Sequence, residues 1–129
     1  MDYRVDDTAR YAKTHEWVRV EGGEVVMGIS DFAQDKLSDV VFVELPAVGA
    51  ALRAGTACMV IESVKAAEEV FAPVSGTVTA RNEKLEKSPE LLNKDPFGEG
   101  LLLRVKIASP AEVDALMDSA AYRKHMENA

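Results

Sequence analysis

The sequence predicts a mainly β protein, a sandwich or flattened barrel of antiparallel sheets with short peripheral and C-terminal helices. Three observations carry this reading. About seven short runs are rich in β-branched and aromatic residues. Turn signals built on glycine and proline separate them. A helical hydrophobic period dominates only after Ser109. Short strands that are apolar on one face bury it most simply by packing sheet on sheet. The chain has 129 residues, 47% of them hydrophobic, which suits one domain over 1–129 with a real core.

Residues 1–14 show no strong period and read as partly loose. Glu16 to Val20 and Val25 to Ile29 flank Gly22-Gly23 and form a hairpin. Ser30-Asp31 N-caps a short helix through Leu37, with Phe32, Ala33 and Leu37 facing the core. Val40 to Leu45 is a strand that Pro46 ends. Gly49 and Gly55 punctuate the next stretch. Ala57 to Glu62 and Ala67 to Phe71 are the arms of a second hairpin, followed by a Ser75-Gly76 turn and a strand from Thr77 to Ala80. Ser88 to Leu92 reads as a short helix with Pro89 at its first position. Leu101 to Ile107 is a strand. Ser109-Pro110-Ala111-Glu112 has the form of a capping box. It opens a helix whose Val113, Leu116 and Met117 dock on the sheet, and Ala120 to Met126 continues helically.

Composition excludes several function classes. With 22 acidic and 15 basic residues the net charge is −7, which disfavours nucleic acid as a partner. A single cysteine, Cys58, forms no intrachain disulfide and reads as an inert core residue. The start, Met1 to Asp7, lacks the apolar core of a signal peptide, and no run has the length of a membrane span. A cytoplasmic protein with no membrane partner is expected, and a monomer. No His-Glu-x-x-His site, Gly-x-Ser-x-Gly elbow or phosphate-cradling glycine loop is present. Metal ligands and catalytic residues are therefore expected to be absent.

One residue stands out by context. Lys65 occupies the tip of the second hairpin, in Glu62-Ser63-Val64-Lys65-Ala66-Ala67-Glu68-Glu69. A turn lysine is ordinarily a solvated charge that blunts a sheet edge. Here Val64 and Ala66-Ala67 stand where Gly, Asn, Asp or Pro is usual. Small flanks leave the amine open to a modifying enzyme, and Glu62, Glu68 and Glu69 offer that enzyme charges to read. Acylation would remove the lysine charge and leave a flexible arm.

Glu62-Ser63-Val64-Lys65-Ala66-Ala67 resembles the lipoylation motif of the glycine cleavage system H protein family. His15-Glu16-Trp17-Val18, Val40 to Pro46, Ala72-Pro73-Val74-Ser75-Gly76 and Ser88 to Asn93 resemble that family too, from about Tyr11 to Tyr122. Gly49 and Gly76 stand where lipoyl domains place turn glycines. The resemblance implies a lipoyl-domain-like flattened barrel with lipoate in amide linkage on Lys65. Biotin carriers usually set their lysine between methionines, and Val64 and Ala66 replace these.

By the same resemblance the chain is a carrier and not an enzyme. Its arm accepts an aminomethyl group from a pyridoxal-phosphate-dependent glycine decarboxylase and delivers it to a tetrahydrofolate-dependent aminomethyltransferase. Dihydrolipoamide dehydrogenase reoxidises it, and a lipoyl or octanoyl ligase or transferase installs it. The family's protective cleft maps to Thr14, Glu16 and Glu69, where a carboxylate would pair with the terminal ammonium. Glu62 and Glu68 read as ligase and partner recognition, and Trp17 and His15 as packing and local hydrogen bonding. The alternative is a similar lipoyl carrier serving another pathway, relaying octanoyl or lipoyl groups to other lipoyl domains or carrying sulfur intermediates. Three departures favour it: Phe32 where the family often has His, Ser38 where it has Gly, and Leu101 where it has Trp.

Overall fold

The computed structural model describes residues 2–129. In chain order the elements are β1 (Arg10–Tyr11), β2 (Glu16–Glu21), β3 (Glu24–Ile29), α1 (Asp31–Leu37), β4 (Val40–Glu44), β5 (Ala51–Leu52), β6 (Ala57–Ser63) and β7 (Ala67–Phe71). There follow β8 (Gly76–Arg81), α2 (Lys84–Lys87), α3 (Leu91–Lys94), β9 (Leu103–Ile107), α4 (Pro110–Asp114) and α5 (Ser119–Glu127). Two antiparallel sheets result. One has the order β1-β2-β3-β9-β8-β5 and the other β4-β6-β7. The mainly β, two-sheet expectation holds.

The main core lies between the sheets, built from Met27, Val43, Met59, Ile61, Val70, Leu103 and Val105 with their neighbours. A second cluster around Tyr11, Trp17 and Tyr122 joins α5 to the outer strands of the larger sheet. Trp17 is fully buried and its indole N–H donates to the Ile29 carbonyl at 3.0 Å, a packing role. The ring fits because Gly28 faces it, where a Cβ would come within 2.9 Å.

Several local expectations change. Residues 2–14 are not loose. Arg4 pairs with Asp31 at 3.2 Å, and β1 pairs with β2. Pro89 precedes its helix, which starts at Leu91. The Ser109 box does not form, although Pro110 is at the start of α4. The Glu112 carboxylate instead accepts from the Ser75 amide at 2.8 Å and hydroxyl at 3.0 Å, tying α4 to the turn before β8. The helix ends at Asp114, so Met117 lies beyond it and bridges Tyr11. Gly76 is a strand residue and not a turn glycine. A Cβ there would sit 2.2 Å from the Lys106 carbonyl, so close approach of β9 demands glycine.

The link from α1 to β4 is strained. Ser38 has φ 65° and ψ −155°, a region essentially reserved for glycine, and its buried hydroxyl has no hydrogen-bond partner among the described residues. The turn persists because Asn93 over-determines it. The Asn93 amide donates to the Ser38 carbonyl at 2.8 Å, and its oxygen accepts from Val40 at 2.9 Å. Ser38→Gly is expected to stabilise the protein by about 1 kcal/mol, from relief of strain and of one orphaned hydroxyl. Urea denaturation of the two proteins checks this, and an unchanged or lower midpoint would contradict it.

Candidate functional site

The β6–β7 hairpin ends in the four-residue turn Ser63-Val64-Lys65-Ala66. Its backbone closes through the Ser63 N–H donating to the Ala66 carbonyl at 2.8 Å. The Ser63 hydroxyl oxygen accepts from the amides of Lys65 at 3.2 Å and Ala66 at 3.1 Å. Serine thus supplies inside the turn the satisfaction that Gly or Asn usually brings, which explains a turn without them. The Val64 N–H donates to the Asp39 carbonyl at 2.9 Å and fixes the tip against the link between α1 and β4.

Lys65 is exposed, and its Nζ donates to the Lys36 carbonyl at 2.8 Å. That carbonyl belongs to the last turn of α1, where the helix dipole is negative. The amine therefore rests on the rim of a cleft between α1 and β7, to which Lys36 and Leu37 contribute. The cleft holds about 290 Å³. Ile29, Phe32, Ala33, Leu37 and Val70 give it an apolar lining, and Thr14, His15, Glu16, Glu68 and Glu69 a polar one. Thr14, Glu16 and Glu69 are thus brought together. Glu68, read from sequence as a partner contact, lines the same cleft, whereas Glu62 lies on β6 away from it.

Glu16 is the buried acid of the site, 3% exposed. Its carboxylate accepts from the Thr14 hydroxyl and from the Phe71 amide at 3.1 Å. Burial raises its pKa, and these bonds only partly offset the shift. A cation brought beside Glu16 would stabilise its charged form. From Ala67 to Phe71 the β7 backbone advances roughly 13 Å, so Glu16 stands far along the cleft from the tip lysine. Burial, reinforced by the Glu16 charge, pushes the Cys58 thiol up to about 11, in keeping with an unreactive residue.

Phe32 is not a core residue. It lines the cleft, stacked on His15 at 4.5 Å and edge-on to Tyr3 at 5.2 Å. His15 sits at φ 78°, and its Nδ1 lies 2.8 Å from the Tyr122 hydroxyl, which in turn lies 2.6 Å from Ser30 Oγ. Sequence reasoning missed the Lys36 carbonyl, the lining role of His15, and Ile29 and Val70 as cleft walls. For the cleft walls, the spacing of Phe32, Ala33, Lys36 and Leu37 on one face of α1 was the available signal.

The apolar wall with acids along it, entered beside a free amine, fits a medium-length acyl arm on Lys65 carrying a cationic cargo. Comparisons with known proteins identify the family. Residues 9–129 match the family model for the glycine cleavage H-protein. A probable glycine cleavage system H protein from Haloarcula marismortui is 53% identical over 98% of this chain and 100% of its own length. Its counterpart from Thermus thermophilus is 48% identical over 92% of each chain. A crystal structure of a glycine cleavage system H protein from Mycobacterium marinum superposes with a TM-score of 0.88 at 31% identity. The match covers 95% of this chain and 99% of that one.

The His15 environment carries a pH prediction. Burial first, and the nearby His125 second, lower its pKa from 6.5 to about 4. The unfolded chain takes up the proton at higher pH than the folded one, so this site's contribution to stability falls as pH drops from about 6.5 to 4. Glu16, with a raised pKa, acts oppositely, its burial cost easing on acidification. His15→Asn tolerates the positive φ and is expected to lose less stability than wild type across that window. Equal losses in urea titrations at both ends would contradict this.

Proposed function

The chain belongs to the glycine cleavage H-protein family, and from that premise we propose that Lys65 is the lysine on which it carries lipoate. It is a lipoyl carrier protein of the glycine cleavage system. The observation that supports the lysine assignment is the placement of its amine: exposed on a turn, hydrogen-bonded to the Lys36 carbonyl, at the mouth of a cleft with apolar walls and acidic groups.

When bound, lipoate supplies a dithiolane that can take up and release a carbon fragment. The chain's own residues do the rest. Ser63 and Asp39 hold the tip so that the arm leaves the protein at a fixed point. Ile29, Phe32, Leu37 and Val70 shield the arm from water. Glu16, with Thr14, and Glu69 pair with the ammonium of an aminomethyl cargo. Glu16 is buried, so a cation paired with it offsets the cost of leaving its charge buried and unpaired. Tethering gives the cargo a high effective concentration at each partner's active site without release into solution.

The partner enzymes hold the catalytic groups in this reading: glycine decarboxylase, the aminomethyltransferase, dihydrolipoamide dehydrogenase, and a ligase or transferase that Glu62 and Glu68 help to recognise. We read residues 1–129 as one cytoplasmic, monomeric carrier domain. Among the described residues no helix is long and apolar enough to cross a membrane. Phe32 borders the cleft, Ser38 the link behind the tip, and Leu101 the Tyr11–Trp17 cluster. Each departure lies off the lysine turn, and membership of the family favours glycine cleavage over another pathway.

Expression in a lipoylating host should add one lipoyl group to the wild type and none to Lys65→Arg, read by intact mass. An unmodified wild type would sink the assignment. Lipoylated protein mixed with glycine decarboxylase should support exchange of carbon dioxide with glycine. Glu16→Gln should be lipoylated normally but release the loaded cargo faster, and equal decay would remove Glu16 from the shielding role.

A further inference from the structure

The three-stranded sheet packs on the core through one face, with Val43, Met59, Ile61 and Val70 buried. Its register aligns Phe42, Glu62 and Ala67 in one row of the opposite face, and Glu44, Val60 and Glu69 in the next. All but Val60 are exposed, Phe42 by 49%. A β-bulge between Val40 and Phe42 gives β4 an extra residue, Val41, and leaves two adjacent apolar side chains facing solvent where strand alternation allows one. The row nearest the turn runs directly into it, since Val40 pairs with Ser63. An apolar centre framed by acids therefore lies next to the turn that carries Lys65.

We infer that this outer face, centred on Phe42, is the docking surface for the enzyme that acylates Lys65. The inference rests on the assignment of Lys65 as the modified residue. Attachment differs from every later step in one physical respect. The neutral amine must attack an activated acyl carbon, an acyl adenylate or acyl thioester. The amide C–N bond forms, the bond to the adenylate or thiol breaks, and the amine gives up a proton. That requires the attaching enzyme to reach Nζ itself, which lies on the protein surface at Lys36. Enzymes acting on the cargo meet the far end of the arm and need not touch the sheet.

On the α1 side the tip is covered by the residues that pin it, Lys36 and Asp39. The outer face is the open approach. Glu44 and Glu62, on a chain of net charge −7, complement a partner presenting lysine and arginine around an apolar pocket for the Phe42 ring. A half-exposed aromatic ring inside a charged frame has the form of an interface anchor.

The test uses the full-length unmodified chain with a purified lipoate–protein ligase, lipoate and ATP, following modification by intact mass. Phe42→Ser and Glu44→Lys are each expected to lower kcat/KM about tenfold or more, while keeping the wild-type melting temperature. Val20→Ser, at a 58% exposed apolar position on the other sheet, is expected to match wild type. Added salt should weaken wild-type modification and affect Glu44→Lys less. Should Phe42→Ser fold poorly, Glu44→Lys, a change of exposed charge, still decides. Wild-type rates in folded variants would overturn the surface while leaving the lysine assignment intact. Normal modification of the variants, followed by loss of exchange with the decarboxylase, would overturn it too and assign the face to that enzyme. An unmodified wild type would overturn the lysine assignment itself.

Discussion

The hydrogen bond from the Val64 amide to the Asp39 carbonyl fixes the geometry of the site. It joins the tip of one hairpin to the link between α1 and β4, two segments far apart in sequence. Without it the turn at Lys65 would be a free end whose amine pointed anywhere in solvent. With it, the amine meets the last turn of α1, and an arm attached there starts at the cleft mouth. The carbonyls of Lys36 and Asp39 reach the tip because the chain reverses sharply at Ser38, in a conformation held by Asn93. The strain at Ser38 is a local cost of placing two carbonyls where the hairpin needs them.

The cleft combines demands that conflict. Shielding an acyl arm calls for apolar walls, which make a charged group expensive, while holding a cationic cargo calls for an anion. Glu16 meets both by sitting deep, with two of its lone pairs satisfied by Thr14 and the Phe71 amide. Burial still raises its pKa, because these bonds offset the desolvation only in part. Glu68 and Glu69 line the same cleft from exposed positions, where water screens them. In the function proposed above, the buried acid is the partner of the cargo ammonium, and the exposed pair guides its approach.

Much of this was legible in the residues. The seven longer strands announce themselves because β-branched runs alternate with turn residues, and Ser30 caps α1 through Ala33 as its identity suggests. The two-residue strands β1 and β5 were not legible, being too short to show a period. The Ser109 box failed because Glu112 found Ser75, a partner brought close only by the packed sheet. Lys65 drew attention through its odd turn neighbours, whereas Glu16 and Thr14 came from resemblance alone. The Lys36 carbonyl had no side-chain signal at all. Phe32 fits the core pattern of α1, yet the cleft opens on that face, and only the placement of β7 decides which apolar residues become walls.

The proposed arm starts at Lys65 and lies along β7. Methyl-resolved NMR of the unmodified and lipoylated proteins tests it directly. The predicted result is a set of shifts at Ile29, Leu37 and Val70, the methyl-bearing walls of the cleft, with Val20 and Val48 unmoved. Shifts confined to Val64 at the tip, with the cleft methyls unchanged, would mean that the arm does not use the cleft and would contradict the account.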